Sequence, residues 1–306
     1  MNYKPSAEIP SQESTMPLAL QLVLIAAAWG TGVLFIKIIV GSGMPPFALA
    51  AYRGGLAGLG IAFWLFVVQR QSVSLTLPTI KSMVMLGLFN GLVPNVLLAL
   101  ALSRIDSAPA GMIQAATPLF VVLLAALFLP SEHIRAKQIV GLILGTVGLF
   151  LVIGPTAITT GQATVNGALL VVLVAFSYAV SAVYLRRTRP ANPTLIALGQ
   201  QVVATSIAVA LSAGFEREII FAPNTTTWFS LLGLGILSTA GPTILYFGML
   251  TSVPAAKAAL VHYLVPLAAV VYGVALLGER LTMGAIIGGI VVLAGAWIAT
   301  RPATGK

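Results

Sequence analysis

The chain alternates between long apolar runs and short polar connections along its whole length. Each apolar run is about 20 to 23 residues long, which is enough to cross a hydrocarbon core of ~30 Å as a helix. A membrane β-barrel would instead show alternating segments of about 10 residues, and the sequence contains none. The pattern therefore predicts an all-α membrane protein with ten spans, at residues 18–38, 46–68, 82–102, 108–129, 134–153, 165–185, 193–213, 228–250, 255–277 and 281–300.

Four prolines inside these runs form two pairs with the same separation of 148 residues, Pro94 with Pro242 and Pro118 with Pro266. A proline within a helix removes one backbone hydrogen bond and strands the carbonyl four residues earlier, so we predict a helix break at each of the four. The stranded carbonyls belong to Asn90, Ser238, Gln114 and His262. Broken helices and polar residues at matched positions of two halves are typical of transporters.

Other residues repeat in nearly the same register. Glu132, Gly141 and Gly148 align with Glu279, Gly288 and Gly295 after a gap of one residue. We predict a tail (1–17), a first five-span repeat (18–153), a linker (154–164), a second five-span repeat (165–300) and a second tail (301–306). Because five is odd, the second repeat should be inverted in the membrane relative to the first. The repeated glycines should pack the fifth and tenth spans against each other.

Charged residues are scarce and unevenly distributed. They make up 8% of the chain, against about 25% in a soluble domain. The net charge of +9 comes from Lys and Arg in the short connections, eleven on one side of the predicted membrane and three on the other, leaving out Lys37 and Arg53 within spans. This asymmetry follows the positive-inside rule. It predicts that both termini are cytoplasmic, and it argues against a nucleic-acid partner.

The sequence offers little for catalysis or metal binding. It contains no cysteine, two histidines and seven carboxylates, so we expect no disulfide, metal site or cofactor. A membrane-embedded enzyme would need a nucleophile, a base or metal ligands clustered at one depth. Only Glu132-His133, in a connection, comes near that description, and we expect no catalytic residues.

The second repeat also carries recognisable motifs. Pro266-Leu267, Leu277-Gly278-Glu279-Arg280-Leu281, Gly288 and Gly295 resemble the EamA repeat of the drug/metabolite transporter superfamily, and Ala28-Trp29-Gly30 is similar to that family's first helix. The general layout is most similar to that of the YddG-type amino-acid exporters. The resemblance implies a ten-helix carrier with a central cavity in a bacterial inner membrane, moving amino acids, metabolites or drugs.

No Asp or Glu lies well inside a predicted span. A buried carboxylate is the usual partner of a cationic drug or a coupling proton, so the sequence favours a facilitator or a carrier of neutral or zwitterionic solutes. Gln114 and His262 occupy matched positions and should lie near a shared cavity; alternatively they hydrogen-bond across the helix interface. His262 could also couple transport to protons, because a histidine titrates near pH 6.5.

Several further side chains are candidates for solute binding. Arg53, in the second span, could receive a substrate carboxylate, or could be a structural arginine bonded to helix-end carbonyls or to Asp106. Aromatic rings could hold an apolar solute, or could pack between helices. Asn90 and Asn95 could face solute or satisfy the broken backbone. The predicted substrate-binding set is Trp29, Asn90, Asn95, Gln114, Tyr178, Tyr246, His262 and Tyr263, with Trp29 and Tyr178 expected to act as a pair.

These features together predict a secondary transporter. Solute would enter a cavity between the halves, and rocking of one half against the other would expose it to alternate sides of the membrane. The best candidates for the solute are amino acids, aromatic ones included, moved out of the cytoplasm without energy coupling. The alternatives are a proton-coupled multidrug or metabolite exporter that uses His262, and the enzyme considered above. The expected partners are the solute and the bilayer, and the expected state is a monomer because the two halves supply a pair.

Overall fold

A computed structural model describes residues 16–71, 73–129, 134–188, 192–216, 224–252 and 260–300. The described residues form helices and connections, with no strand among them, so the predicted all-α fold is confirmed. The helices are α1 Leu18–Gly41, α2 Pro46–Val68, α3 Leu77–Leu102, α4 Ser107–Phe128, α5 Ala136–Thr160, α6 Gln162–Thr188, α7 Pro193–Phe215, α8 Thr225–Met249, α9 Val261–Leu277 and α10 Met283–Thr300.

Within the described part of the chain, nine of these helices are long and apolar enough to cross a membrane. The exception is α9, which has 17 described residues. The predicted tails, apart from residues 16 and 17, lie outside the described residues, and so does Glu132 of the repeat.

The four span prolines are accommodated in three different ways. Pro94 and Pro242 each follow a π-helical segment, Gly87–Leu92 in α3 and Gly233–Ala240 in α8. The π turns widen the helix, so the chain stays helical and the predicted breaks there are wrong. Pro118 follows a two-residue interruption of α4, between Gln114 and Thr117.

The fourth predicted break is also wrong, because α9 continues through Pro266. Packing on both sides of the helix explains why one lost hydrogen bond does not end it. A Cβ on Gly30 of α1 would lie 2.6 Å from Ala268 Cβ, and one on Gly111 of α4 would lie 2.7 Å from Ala269 Cβ. The backbones of α1 and α4 therefore approach α9 closely and hold it in place.

The predicted linker at 154–164 is helical except at Gly161. Gly161 has a φ of 83°, a left-handed conformation that glycine adopts without steric cost at the end of a helix. The first repeat is therefore joined to the second by a sharp turn between α5 and α6.

Glycines bring α5 and α10 into backbone contact, as the sequence predicted. A Cβ on Gly141 would lie 2.6 Å from the Ala299 nitrogen, and one on Gly148 would lie 2.6 Å from the Val292 nitrogen. Since the contact position on α10 moves backwards as α5 advances, the two helices run antiparallel. Small residues that allow such close approach are typical of membrane helix interfaces.

Helices α2 and α7 also run antiparallel to each other. The N-terminus of α2 contacts Glu216 at the end of α7, whereas Gly58 farther along α2 faces Gln201. Each of these helices also packs on one π segment. A Cβ on Gly91 of α3 would lie 2.7 Å from Ala204 of α7, and one on Gly235 of α8 would meet Leu56 of α2.

Two carboxylates close one end of the bundle. Glu216 accepts hydrogen bonds from the Phe47 and Ala48 amides at 2.7 and 2.8 Å. Glu279 accepts from the Ser107 and Ala108 amides at 2.7 and 2.8 Å. Each carboxylate satisfies free amides in the first turn of another helix, where negative charge is favourable.

Candidate functional site

Three rings from three helices meet in the bundle and form what we call the aromatic cluster. The Trp29 and His262 rings stack at 6.0 Å between centroids and 14° between planes. Tyr246 lies 5.2 Å from Trp29 and 5.8 Å from His262, at angles of 53° and 67°. These separations are in the range in which aromatic rings attract one another. All three residues were predicted individually, and the structure brings them together.

The side chains of the aromatic cluster are not fully buried. The His262 side chain is exposed, while Trp29 and Tyr246 are half-buried. The three rings therefore keep surface that another molecule can contact.

Gln114 and His262 were expected to lie near a shared cavity, with a hydrogen bond between them as the alternative. No hydrogen bond joins their side chains among the described contacts, so the interface-bonding alternative gains no support. Gln114 is half-buried, and its carbonyl accepts the Thr117 hydroxyl at 2.7 Å. The carbonyl stranded by Pro118 is therefore satisfied within its own helix and is not left for a solute.

Arg53 occupies a second polar region, formed by α2, α6 and α8. Its Nε donates to Thr239 Oγ1 at 3.1 Å, and Tyr178 of α6 lies near its guanidinium. Its Nη1 is buried and has no hydrogen-bond partner. The alternative of a bond to Asp106 is not observed, because Asp106 pairs with Lys37 at 3.2 Å.

The described carboxylates are all engaged away from Arg53. Asp106 pairs with Lys37, while Glu216 and Glu279 bind helix N-termini. Lys37 is further held by the Leu102 and Ile105 carbonyls at 3.1 and 2.7 Å. Among the residues that the structure describes, Arg53 is thus a deep cation with no carboxylate partner.

The other residues of the predicted binding set differ in burial and in hydrogen-bond partners. Asn90 is half-buried and donates to Gln200 Oε1 at 3.0 Å, whereas Asn95 is only 5% exposed and packs in the core. The Tyr263 hydroxyl donates to the Ala296 carbonyl at 3.2 Å and also contacts Thr300, which ties it to α10. No ring contact joins Trp29 and Tyr178 among the described residues, and their joint role in solute binding stays a prediction.

Sequence reasoning missed three polar residues that support these sites. Thr239 orients Arg53, Gln200 holds Asn90, and Ser177 donates to the Phe89 carbonyl at 2.6 Å inside the π segment. Each lies next to, or packs against, a π segment. Their position near a repeated proline could have marked some of these polar residues as candidates. The sequence does not show which side chain on a neighbouring helix each of them binds.

Two clefts of the structure lie away from these residues. One, of about 140 Å³, is lined by residues that include Arg104, Asp106 and Pro109. The other, of about 360 Å³ and almost wholly apolar, is lined by residues of α2 and α7 that include Tyr52 and Leu59. Neither includes a residue of the predicted binding set, and the apolar cleft suits acyl chains better than a hydrophilic solute. No group of metal-ligating side chains occurs among the described residues.

Known proteins of similar sequence are transporters by name. The chain is 24% identical over 284 residues to the "Uncharacterized transporter YoaV" of Bacillus subtilis, covering 92% of this chain and 96% of that one. It is 27% and 25% identical to proteins named "Probable amino-acid metabolite efflux pump" from Salmonella typhimurium and Escherichia coli, covering 90% of this chain and 92% of each relative.

A solved crystal structure shares the fold, with a TM-score of 0.66 at 20% identity, over 92% of this chain and 96% of that one. The sequence profile of the EamA-like transporter family matches residues 16–154 and again residues 165–301. These two matches cover nearly all of the helical bundle and coincide with its two sets of helices. The chain is a multi-pass membrane transporter, not an enzyme, and it belongs to the EamA-like transporter family.

Proposed function

We propose that the protein is a secondary carrier that moves small neutral or zwitterionic metabolites out of the cytoplasm, with amino acids, aromatic ones included, as the best candidates. The solute binds in a central cavity between two inverted five-helix repeats and reaches alternate sides of the membrane without energy coupling. The protein spans the membrane ten times, acts as a monomer and has both termini in the cytoplasm.

Helix packing supports the inverted repeat. The corresponding helices of the two halves, α2 with α7 and α5 with α10, run antiparallel. A two-fold axis along the membrane normal would make them parallel, while an axis in the membrane plane makes them antiparallel. The π segment of α3 packs on α7, and the π segment of α8 packs on α2. An axis in the membrane plane that relates the two halves also produces this pair of equivalent contacts.

The aromatic cluster is the observation that carries the substrate proposal. Its rings are accessible and offer large apolar faces, while no described carboxylate lies beside them. Such a site attracts an apolar or aromatic group through burial of area and ring contacts. It lacks the carboxylate that binds a cationic drug. The names of the two efflux-pump relatives agree with amino acids as the solute.

Flux through proteoliposomes tests the proposal. Purified protein should accelerate the efflux of at least one neutral amino acid, with saturation, over protein-free vesicles. His262→Ala and Gln114→Ala should lower that flux while the amount of folded protein stays the same. Absence of protein-dependent flux across a panel of amino acids, nucleosides and amphiphilic drugs would contradict the proposal.

Accessibility of His262 favours a second candidate, the proton-coupled exporter. Histidine is the side chain best suited to proton transfer near neutral pH, and the His262 side chain is exposed. A pH gradient separates the two mechanisms. Equal rates with and without the gradient support a facilitator, while a rate that follows the gradient and loses that dependence in His262→Gln supports proton coupling.

A further inference from the structure

The region around Arg53 contains an unusual concentration of unsatisfied polar atoms. Buried atoms without a partner are Arg53 Nη1, Gln201 Oε1, Thr205 Oγ1 and Ser238 Oγ. Buried polar groups are normally hydrogen-bonded, because a group that leaves water without gaining a partner is destabilising, most of all when it is charged. The three unpaired oxygens belong to neutral side chains, so among the described residues the Arg53 guanidinium lacks a negatively charged acceptor.

The missing acceptor should be an anion with the shape of a carboxylate. Arg53 donates one hydrogen bond, to the Thr239 hydroxyl, and Tyr178 lies near it; neither side chain brings a full negative charge at neutral pH. The planar guanidinium presents several donors in one fork, which matches the two oxygens of a carboxylate. The same charge repels cations, since Coulomb interactions are strong where water is scarce.

Helix α8 fixes the position of this cation relative to the aromatic cluster. Thr239, which holds Arg53, and Tyr246, which belongs to the cluster, are separated by seven residues. Seven residues are close to two helical turns, so both residues lie on one face of α8, about 10 Å apart along its axis at 1.5 Å per residue. Helix α1 runs alongside both points on α8, because its Gly32 faces Ser238 and its Trp29 contacts Tyr246.

We infer that the cavity recognises a small organic acid at two points, with its carboxylate on Arg53 and an apolar or aromatic group on the aromatic cluster. The inference rests on the proposed function and narrows its substrate class to carboxylates. It requires a carboxylate and an apolar group within roughly 10 Å of each other, the rise of α8 between the two points. Aromatic amino acids meet this requirement, while the corresponding amines and amides do not.

Binding of four small probes to the purified protein tests the inference without any variant. L-Phenylalanine carries both groups, and 3-phenylpropionate carries both without the ammonium. L-Phenylalaninamide lacks the carboxylate, and glycine lacks the ring. A ligand that binds the folded protein raises its melting temperature. L-Phenylalanine and 3-phenylpropionate should do so, and the other two should have little effect at equal concentration.

Substitution of Arg53 provides the second arm. Arg53→Gln should weaken the binding of L-phenylalanine about 10- to 100-fold, the range expected for a charge-assisted hydrogen bond, and should remove the preference for L-phenylalanine over its amide. Arg53→Lys should restore part of that preference. Lys37→Gln is the matched control, because it removes a cation that Asp106 already neutralises, and it should leave the preference unchanged.

The outcomes distinguish this inference from the carrier proposal. Equal binding of L-phenylalanine and its amide to the unmodified protein overturns the carboxylate site, as does an unchanged preference in Arg53→Gln. If none of the four probes binds, the two-point site is also overturned. Flux of any amino acid in the proteoliposome panel would still uphold the carrier in each case.

Discussion

The carboxylate of Glu279 ties the end of α9 to the start of α4, and breaking this contact should open the bundle at that end. Besides the two amide bonds, Glu279 Oε1 accepts the Ser107 hydroxyl at 2.6 Å. The fit depends on Gly273, where a Cβ would lie 2.6 Å from Glu279 Oε2. Under the proposed topology this end faces outward, so the contact belongs to a state closed to the outside.

The structure sets the expected size of the effect. Glu279→Gln removes the negative charge but keeps one acceptor oxygen, so the amides of the α4 N-terminus lose a charge-assisted partner. A hydrogen bond to a charged group contributes about 1.5–3 kcal/mol, equivalent to roughly 10- to 100-fold in an equilibrium constant. If the outward-open state lacks the contact, its population should rise by that factor relative to the closed state.

Cysteine labelling measures this shift directly, because the chain contains no cysteine of its own. A single cysteine in place of Gln114, in the middle of α4, reports access to the cavity. A membrane-impermeant maleimide added outside should label this cysteine about 10- to 100-fold faster when Glu279→Gln is also present. The labelling rate is then proportional to the population of the outward-open state.

Asp106→Asn is the control for a carboxylate at the same end. Its side chain is 58% exposed and pairs with Lys37, and a surface ion pair contributes about 0–1 kcal/mol. Labelling should change less than about fivefold. If Glu279→Gln labels no faster than Asp106→Asn at equal amounts of folded protein, the contact does not hold the outer side closed.

Two further substitutions test the scaffold and the site. Gly148→Ala should lower the melting temperature in detergent, because its Cβ would lie 2.6 Å from the Val292 backbone nitrogen and overpacking costs about 1–3 kcal/mol. Gly214→Ala, whose Cβ meets no atom within 4 Å, should not. Trp29→Ala should reduce amino-acid flux about tenfold through lost ring contacts. Trp297→Ala, which removes a 47% exposed ring of α10, should leave the flux near normal, and equal losses in both would argue against the cluster.

Much of the fold could be predicted because its determinants are local. Apolar run length defines a membrane helix wherever the run occurs, and small residues at helical spacing define a close contact. The predicted pairing of α5 with α10 through Gly141 and Gly148 was therefore confirmed. Irregular backbone was likewise expected near Pro94 and Pro242, and π segments occur at both positions.

The way each irregularity is resolved could not be predicted from the proline alone. Pro118 accompanies a break and Pro266 does not, because neighbouring helices decide whether a weakened turn stays helical. The same limit applies to the site. Trp29 and His262 were each recognised as candidates, but their stacking depends on how α1 and α9 face each other, which residue spacing within one helix does not determine.

In the proposed transporter, solute binding depends more on the positions at which the two repeats differ than on the positions at which they agree. Under the proposed inverted repeat, the scaffold positions are the same in both halves, as in Gly148 and Gly295. The residue that matches Gln114 is His262, which joins the aromatic cluster, and the residue 148 positions after Arg53 is Gln201. A perfectly symmetric cavity would present the same groups at both ends and could not orient a solute. With Arg53 in one half only, the proposed cavity would have a polarity along α8, which is what the recognition of an asymmetric molecule such as an amino acid requires.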